Sequence, residues 1–360
     1  MDDNNKRLIS TVISPINFNN KKPKNTLYLT DSDNQYSDSE DYSSSDKLVR
    51  FEIEINSLQD LIDLGKKYDK SKRYEFNMRK LNKMIPSMER INNFIGMSNI
   101  KVHLVDHILF YLQSDSFKVI DKDIMHTVIT GPPGVGKTEF AKALGQLYLS
   151  MGVLKNNNFV KVTRSDLVAK YLGQTAIKTR DKIRSCLGGV MFIDEVYSLG
   201  NKELSDSFSK EAIDTLNEHL TEMKDEFICI VAGYKEEVND CFFSFNKGLE
   251  SRFPIRFDIT GYDYTELFQI FKQKVIDSKW KISDEITDIF LKDKMNNFKF
   301  YGRDIENLLT QVKRCHSRRV FTKKSDEKTL ITLKDLENGL NMFLSFNKKE
   351  ESDNHLSMYI

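Results

Sequence analysis

The octapeptide Gly131-Pro-Pro-Gly-Val-Gly-Lys-Thr138 constrains the fold of this 360-residue chain more than any other feature. It fits the pattern G-x-x-x-x-G-K-[ST], follows an apolar run at 126–130 and precedes a stretch with helical periodicity. Glycines let successive backbone N–H groups curl around phosphates, and a helix N-terminus adds partial positive charge. The sequence therefore predicts a strand, a phosphate-binding loop and a helix, whereas a plain glycine-rich turn is the alternative.

The residues of this loop have separate predicted roles in holding ATP and Mg²⁺. Lys137 is expected to reach the β- and γ-phosphates, and the Thr138 hydroxyl to bind the metal ion. The predicted nucleotide-binding residues of the loop are Gly131, Pro132, Pro133, Gly134, Val135, Gly136, Lys137 and Thr138.

A second motif, Val190-Met-Phe-Ile-Asp194-Glu195, follows the loop in the chain. Its apolar residues predict a buried strand with two carboxylates at its C-terminal end, where ligands bind in open α/β sheets. We expect Asp194 to hold Mg²⁺ and Glu195 to orient and polarise the attacking water. An apolar run ending in Asp-Glu is weak alone, but after a phosphate loop it points to ATP hydrolysis.

Short apolar runs alternate with helical periodicity downstream of residue 90. The predicted strands are 126–130, 159–163, 190–194, 227–232 and 254–259, and the helices between them are 137–151, 166–187 and 209–224. This alternation is typical of a parallel sheet covered on both faces. After residue 261 only helices are predicted, at 264–278, 286–295, 303–321 and 333–346. The predicted fold class is α/β, a parallel-sheet phosphate-loop domain followed by a small helical lid.

Five parts are predicted along the chain. They are a disordered acidic and serine-rich leader at 1–46, a basic and mostly helical region at 47–90, the α/β nucleotide-binding domain at 91–260, the helical lid at 261–348 and a flexible tail at 349–360. Residues 31–46 hold six acidic residues and six serines, so they cannot bury enough apolar surface to offset their ordering entropy. The leader either docks a partner or is simply solvated.

Residues 66–90 carry nine Lys or Arg against three acidic residues and predict a basic amphipathic helix that ends near Pro86. The basic face is either a nucleic-acid patch or a solvated helix face, with Tyr68, Tyr74 and Phe76 packed inward.

Composition excludes several classes of protein. The 54 Lys and Arg against 53 Asp and Glu leave a net charge of +1, so no overall field attracts nucleic acid or anionic lipid. No run approaches the ~18 apolar residues of a membrane span, and the acidic N-terminus lacks a signal-peptide core. Four cysteines without a C-x-x-C pair predict reduced, mostly buried thiols in the cytoplasm or another reducing compartment.

Several further strings resemble one family. They are Phe94-Ile-Gly-Met-Ser-Asn-Ile-Lys101, Arg164-Ser-Asp-Leu-Val-Ala-Lys-Tyr-Leu-Gly-Gln-Thr175, Leu187-Gly-Gly-Val-Met-Phe-Ile-Asp-Glu-Val-Tyr197, Val231-Ala-Gly-Tyr234 and Gly248-Leu-Glu-Ser-Arg-Phe-Pro254. From about residue 95 to residue 346 the chain resembles the AAA+ ATPases of the CbbX (CfxQ) type, the group that includes the red-type rubisco activase and the sporulation protein SpoVK. The resemblance implies a homo-oligomeric ring, a hexamer, with ATP at the subunit interfaces.

The resemblance also implies residue roles. Arg252 stands where the family has its arginine finger, which reaches the γ-phosphate of a neighbouring subunit, and a surface ion pair is the alternative. Arg303 stands at the second sensor, and an ordinary helix-start arginine is the alternative. Tyr171, Leu172 and Gly173 match the pore loop that grips a polypeptide substrate, unless Tyr171 packs against its own subunit.

Three sites depart from the pattern of AAA+ proteins in general or of this family. Tyr234 stands where AAA+ proteins in general have the Asn of the first sensor, and the CbbX subgroup departs from them at the same place. Lys247 replaces a Pro that is common in the Asn-Pro-Gly-Leu string. Phe-Tyr-Gly-Arg, which ends at Arg303, replaces Gly-Asn-Ala-Arg.

Two rival functions remain open beside a protein-remodelling motor: a nucleic-acid machine such as a helicase loader, and an ATP-gated scaffold. The Tyr-Leu-Gly loop favours a polypeptide substrate, because a DNA motor more often has Lys or Arg there. His103 and His107 have the i,i+4 spacing of a metal pair, but they lack the adjacent Glu of a zincin motif, which favours an ordinary helix face.

Overall fold

The computed structural model describes residues 48–116, 124–171, 173–200, 207–246, 248–323 and 328–357. The leader predicted for 1–46 lies outside these residues, as do Leu172 and Lys247. Among the helices of the described ranges, none combines the length and the apolar character that a membrane span needs. All four cysteines are free, as predicted, and Cys186 and Cys229 are buried.

The strands form one central sheet and two short pairs. The central sheet contains β3 (Thr127–Thr130), β4 (Phe159–Val162), β5 (Val190–Ile193), β6 (Ile228–Gly233) and β7 (Ile255–Asp258). The two pairs are β1 (Leu48–Val49) with β2 (Arg73–Tyr74), and β8 (Lys281–Ile282) with β9 (Leu330–Ile331).

The helices precede, interleave with and follow these strands. They are α1 (Leu58–Gly65), α2 (Met78–Asn92), α3 (Ser98–Ser116), α4 (Lys137–Ser150), α5 (Arg164–Leu167), α6 (Thr175–Arg184), α7 (Ser207–Glu222), α8 (Lys235–Cys241), α9 (Leu249–Arg252), α10 (Tyr264–Asp277), α11 (Ile289–Lys292), α12 (Tyr301–Val320) and α13 (Leu333–Ser357).

The central sheet is parallel throughout, with the strand order β4-β5-β6-β3-β7. Thr130, the last residue of β3, lies opposite Gly233 on one side and Asp258 on the other. The carboxyl ends of the strands therefore meet at one edge, and the loops that leave them converge there. This arrangement confirms the predicted α/β class with a parallel sheet.

Helices cover both faces of the sheet, because consecutive strand residues point to opposite sides. Ile129 and Phe192 belong to the core formed with α1, α2, α3 and α4, whereas Val128 and Ile193 belong to the core on the other face, with α6 and α7. The helices α1 and α2 thus share a core with the sheet. A third core lies among α10, α12 and α13 and is centred on residues such as Leu308.

The predicted basic helix, from residue 66 to near Pro86, is wrong at both ends. Residues 73–74 form β2, and α2 begins at Met78, where the Asn77 side chain accepts a hydrogen bond from the Lys80 N–H at 2.9 Å. The helix then continues through Pro86 to Asn92. Pro86 lies on the exposed side of the helix, while Met84 and Met88 remain buried in the first core. Tyr68, Tyr74 and Phe76 do pack against the first core, as predicted.

Two other predicted helices are interrupted. The stretch 166–187 contains α5 and α6, and α5 begins early because Thr163 and Asp166 form a capping box. The helix α5 ends where Val168 adopts an extended conformation, with φ −82° and ψ 131°, and α6 begins only at Thr175. Gly173, in the segment between them, adopts φ +76°. The stretch 286–295 contains only the single turn of α11.

Candidate nucleotide site

A cavity of about 560 Å³ opens at the carboxyl ends of β3, β5 and β6. Residues 133–138 of the glycine-rich loop line it, together with Asp194 and Glu195 after β5. Tyr234 after β6 and Arg303 on α12 complete its wall. The structure thus brings together the predicted phosphate loop, the carboxylate pair and the C-terminal helices around one space.

The loop has the backbone of a phosphate cradle. Gly134 and Gly136 adopt φ +77° and +90°, which side chains rarely tolerate. Gly136 directly precedes α4, and within the described residues no side chain caps that end of the helix. Because Phe140 makes the first intrahelical bond, to the Gly136 carbonyl at 2.9 Å, the amides of the first helical residues are available to an anion. The cradle fits the phosphates of a nucleotide.

Lys137 is the cation of this cradle. Its Nζ donates to the carbonyl oxygens of Gly131 at 2.7 Å and Pro132 at 2.9 Å, and lies 4.9 Å from the centroid of the Tyr234 ring. Partial burial lowers the pKa of Lys137, and the negative charges of Asp194 and Glu195 act in the opposite direction. The ammonium group is therefore held by its own loop and is stabilised in its charged form by the two carboxylates.

Asp194 and Thr138 form a pair of oxygen donors. The Thr138 hydroxyl donates to Asp194 Oδ2 at 3.3 Å, and the Nζ of Lys161 lies 2.8 Å from the same oxygen. A hydroxyl and a carboxylate are ligands that Mg²⁺ prefers, so this donor set fits the ion. In the described part of the chain, no cluster of three or more His, Cys, Asp or Glu side chains competes with it as a metal site.

Glu195 lies at a sharp turn of the chain. It adopts φ +52° and ψ +48°, a left-handed conformation that is unusual for a residue with a side chain and that marks functional positions. The turn leads into a 3-10 helix (Val196–Leu199) that carries Tyr197 to the cavity wall. There the Tyr197 ring stacks on Tyr234, with centroids 5.5 Å apart and planes at 18°. Burial, followed by the charge of Glu195, raises the pKa of Tyr197.

The C-terminal helices contact the phosphate loop directly. The Gly302 N–H donates to the Gly134 carbonyl at 3.1 Å, and the Tyr262 hydroxyl donates to the Val135 carbonyl at 2.7 Å. Burial raises the pKa of Tyr262 to about 12, so this donor keeps its proton at neutral pH. Arg303, the next residue after Gly302, is thereby held at the cavity wall.

The sequence did not identify Tyr197, Tyr262 or Lys161 as parts of this region. Tyr197 lies only two residues after the Asp-Glu pair, and this closeness in sequence could have indicated that it belongs to the site. Tyr262 and Lys161 reach the site only through tertiary packing, and no local pattern marks them.

Arg252 and the predicted pore loop lie elsewhere. Arg252 ends α9, outside the cavity lining, and donates to Thr221 Oγ1 at 3.0 Å, Ser251 Oγ at 2.7 Å and the Gly248 carbonyl at 3.1 Å. Tyr171 is 69% exposed beside Gly173, and Leu172 is outside the described residues.

The two histidines considered as a metal pair, His103 and His107, lie on α3. His107 packs edge-on against Tyr148, with ring centroids 5.9 Å apart.

Comparison with known proteins gives this arrangement a family. The sequence model for "ATPase family associated with various cellular activities (AAA)" matches residues 127–260. A cfxQ-like protein of Acanthamoeba polyphaga mimivirus is 40% identical over 310 residues, which cover 84% of this chain and 75% of that protein. The chain belongs to the CfxQ-like family of AAA+ ATPases. Another relative of this CfxQ-like chain is stage V sporulation protein K of Bacillus subtilis (strain 168). The two proteins are 39% identical over 211 residues, which cover 56% of this chain and 64% of the sporulation protein.

A solved structure shows the same fold as this CfxQ-like ATPase. The AAA domain of FIGL-1, crystallised in complex with ADP, aligns with a TM-score of 0.51 and 21% identity, over 70% of this chain and 83% of that one. Family membership makes the protein a nucleotide-binding ATPase, which confirms the enzyme class predicted from the phosphate loop and the Asp-Glu pair.

Proposed function

We propose that this CfxQ-like ATPase forms a hexameric ring and uses ATP hydrolysis to remodel or thread a polypeptide through the pore of that ring. The observation that carries the proposal is the exposure of Tyr171, 69%, on the loop that links α5 to α6. An exposed aromatic ring two residues before a glycine at positive φ suits the gripping of an extended chain by stacking and apolar contact, largely independent of sequence.

The proposal assigns hydrolysis to groups that line the cavity. Lys137 binds the β- and γ-phosphates, and Arg303 approaches the γ-phosphate from α12. Glu195 takes a proton from the attacking water as the water oxygen bonds to the γ-phosphorus, while the bond from that phosphorus to the β–γ bridging oxygen breaks and ADP leaves. The carboxylate of Glu195 suits this role because it lines the same cavity as the phosphate loop.

Thr138 and Asp194 are the proposed Mg²⁺ ligands. The ion would neutralise charge on the phosphates of the bound nucleotide. The support is the donor pair itself, a hydroxyl and a carboxylate 3.3 Å apart at the end of the phosphate loop.

Arg252 is the proposed contribution of a neighbouring subunit. The residue lies outside the cavity lining of its own subunit, on a helix that follows β6 and α8. A guanidinium supplied in trans stabilises the charge of the phosphoryl-transfer transition state. Each site is then complete only when subunits assemble, so the ring is part of the catalytic unit.

A substrate trap tests the proposed function. Glu195→Gln keeps the phosphate cradle and removes the base, so we expect it to bind ATP, lose hydrolysis by at least about a hundredfold and retain a polypeptide partner in the presence of ATP. Lys137→Ala is the matched control in the same cavity, because it removes the phosphate-binding cation and should neither bind nucleotide nor retain the partner.

Two outcomes would contradict the proposal. Hydrolysis by the Glu195→Gln protein at the parental rate would remove Glu195 from the catalytic step. If the Glu195→Gln protein retained nucleic acid and no polypeptide, the result would contradict polypeptide threading and support a nucleic-acid machine.

A further inference from the structure

Lys161 reaches the carboxylate pair from the edge strand β4. It lies opposite Phe192 of β5 in the parallel register. Alternate residues of a strand share a face, so Lys161 projects on the same side as Phe159, whose ring lies 5.4 Å from that of Phe192. On the neighbouring strand, the next residue on this face after Phe192 is Asp194, directly after β5. The pleat of two strands therefore brings a lysine and the proposed metal ligand together.

The contact between them is short and specific. Lys161 Nζ lies 2.8 Å from Asp194 Oδ2, the same oxygen that accepts the Thr138 hydroxyl. The Asp194 side chain is only 21% exposed, whereas that of Lys161 is 54% exposed. The carboxylate is thus held in place and partly shielded from water. The long side chain of Lys161 is more exposed, so its ammonium group can also turn into solvent.

We propose that Lys161 is a positioning residue that holds the Asp194 carboxylate in the metal-free site and lowers the affinity of that site for a divalent cation. The inference rests on the proposed function, in which Asp194 and Thr138 hold Mg²⁺. An ammonium group and a divalent cation repel each other, and both are attracted by the same oxygen. Lys161 therefore withdraws toward solvent when the metal ion enters and returns when it leaves.

The proposal predicts effects of opposite sign on two ligands. Neutralising Lys161 makes the site more negative by one charge, so a divalent cation binds more tightly. A nucleotide without metal is a polyanion and binds more weakly to the same site, because the charge of Asp194 is no longer balanced. General structural damage would weaken both ligands together, so the opposite signs separate a positioning role from a structural one.

The experiment uses the full chain and measures binding without turnover. Mn²⁺ binding in the presence of ADP is measured from the electron paramagnetic resonance signal of the free ion, and ADP binding in EDTA is measured by calorimetry. The variant is Lys161→Met, which keeps the length of the stem, and Lys161→Arg is the charge-conserving rescue. Lys235→Met is the matched control, because Lys235 pairs with Asp258 at the same 2.8 Å but outside the cavity lining.

We expect Lys161→Met to bind Mn²⁺ about tenfold more tightly and ADP in EDTA several-fold more weakly, the scale of one partly screened charge at close range. Lys161→Arg and Lys235→Met should stay close to the parental values. Parental Mn²⁺ affinity in Lys161→Met, or a loss of both affinities, would overturn the inference while leaving the proposed function intact. Failure of the parental protein to bind ADP and Mn²⁺ together would overturn both.

Discussion

The Nζ atom of Lys137 lies 4.9 Å from the centroid of the Tyr234 ring, and both residues line the cavity. The ring is itself held by its stack on Tyr197. Close packing favours this stack, because a Cβ on Gly233 would come within 3.0 Å of the Tyr197 ring. A π-face that holds the Lys137 ammonium group, the proposed phosphate-binding cation, is therefore built into this wall of the cavity.

Substitution of Tyr234 distinguishes the ring from the hydroxyl. Tyr234→Leu removes the cation–π contact, worth roughly 0.5–2 kcal/mol, so we expect ATP to bind about two- to thirtyfold more weakly. Tyr234→Phe keeps the π-face and should bind ATP within about twofold of the parental value, on the same energy scale. Fluorescence titration with a labelled nucleotide measures both. An equal loss in the two variants would assign the role to the hydroxyl instead.

The contact of Gly302 with the phosphate loop gives a second prediction. The Gly302 N–H donates to the Gly134 carbonyl, and a Cβ at Gly302 would lie 2.8 Å from that oxygen. Gly302→Ala adds only this methyl group, so it should push the start of α12 away from the loop. We expect several-fold weaker ADP binding and faster amide exchange in residues 131–136, whereas Asn307→Ala, on the exposed side of the same helix, should change neither. Unchanged exchange in Gly302→Ala would show that this contact does not hold the loop.

The central sheet could be predicted from the sequence because its determinants are local. Four consecutive apolar residues before Asp194 are enough to indicate a buried strand, and the glycine pattern before Lys137 is enough to indicate the cradle. The break between α5 and α6 was not predicted, since 166–187 keeps a helical periodicity, whereas in the structure Val168 is extended and Gly173 adopts a positive φ. The pairing of Lys161 with Asp194 depends on the register of β4 against β5, which no local pattern encodes.

His126, just before β3, predicts how stability depends on pH. The residue is fully buried, its Nδ1 accepts the Cys229 N–H at 3.0 Å, and its Nε2 donates to the Leu220 carbonyl at 2.9 Å. Burial lowers its pKa to about 4, against the opposing effect of the Leu220 carbonyl. The unfolded chain, with a pKa near 6.5, therefore takes up this proton first as the pH falls.

The contribution of His126 to the free energy of unfolding is thus complete above pH 6.5 and is lost as the pH falls to about 4. The loss amounts to about 3 kcal/mol at most. Urea unfolding across this range measures it. His126→Asn retains an acceptor for the Cys229 N–H and should flatten the pH dependence, whereas His103→Asn, at an exposed position on α3, should leave it unchanged. Parallel curves for the parental and His126→Asn proteins would show that this proton is not the cause.

Mixing two inactive variants tests whether Arg252 acts across an interface. Arg252→Ala keeps an intact phosphate site but lacks the finger, and we expect hydrolysis to fall by about a thousandfold. Glu195→Gln lacks the base but supplies an intact finger. Mixed rings should therefore hydrolyse ATP faster than either variant alone. Arg256→Ala is the matched control, because Arg256 pairs with Glu250 at 3.1 Å in the same region. No gain in hydrolysis on mixing would contradict a role of Arg252 in the site of a neighbouring subunit. Full specific activity in a proven monomer would contradict it as well.

The last prediction concerns the coupling of hydrolysis to work on a substrate. Tyr171→Ala removes one exposed aromatic ring from every subunit, and each lost stacking contact is worth about 1 kcal/mol. Several such losses act together on one gripped chain, so remodelling should fail. ATP hydrolysis should continue, because Tyr171 is not part of the cavity lining. The control is Ile177→Ala, which removes a 57% exposed apolar side chain from α6, outside the loop.

Both activities are measured on one preparation, with the polypeptide retained by the Glu195→Gln protein as substrate. We expect the ratio of remodelling to hydrolysis to collapse in Tyr171→Ala and to stay at the parental value in Ile177→Ala. Full remodelling by the Tyr171→Ala ring would exclude this loop as the gripping element. Stimulation of the parental ATPase by single-stranded DNA, and by no polypeptide, would instead favour a nucleic-acid substrate, because DNA binding is not expected to increase the hydrolysis rate of a ring that grips polypeptides.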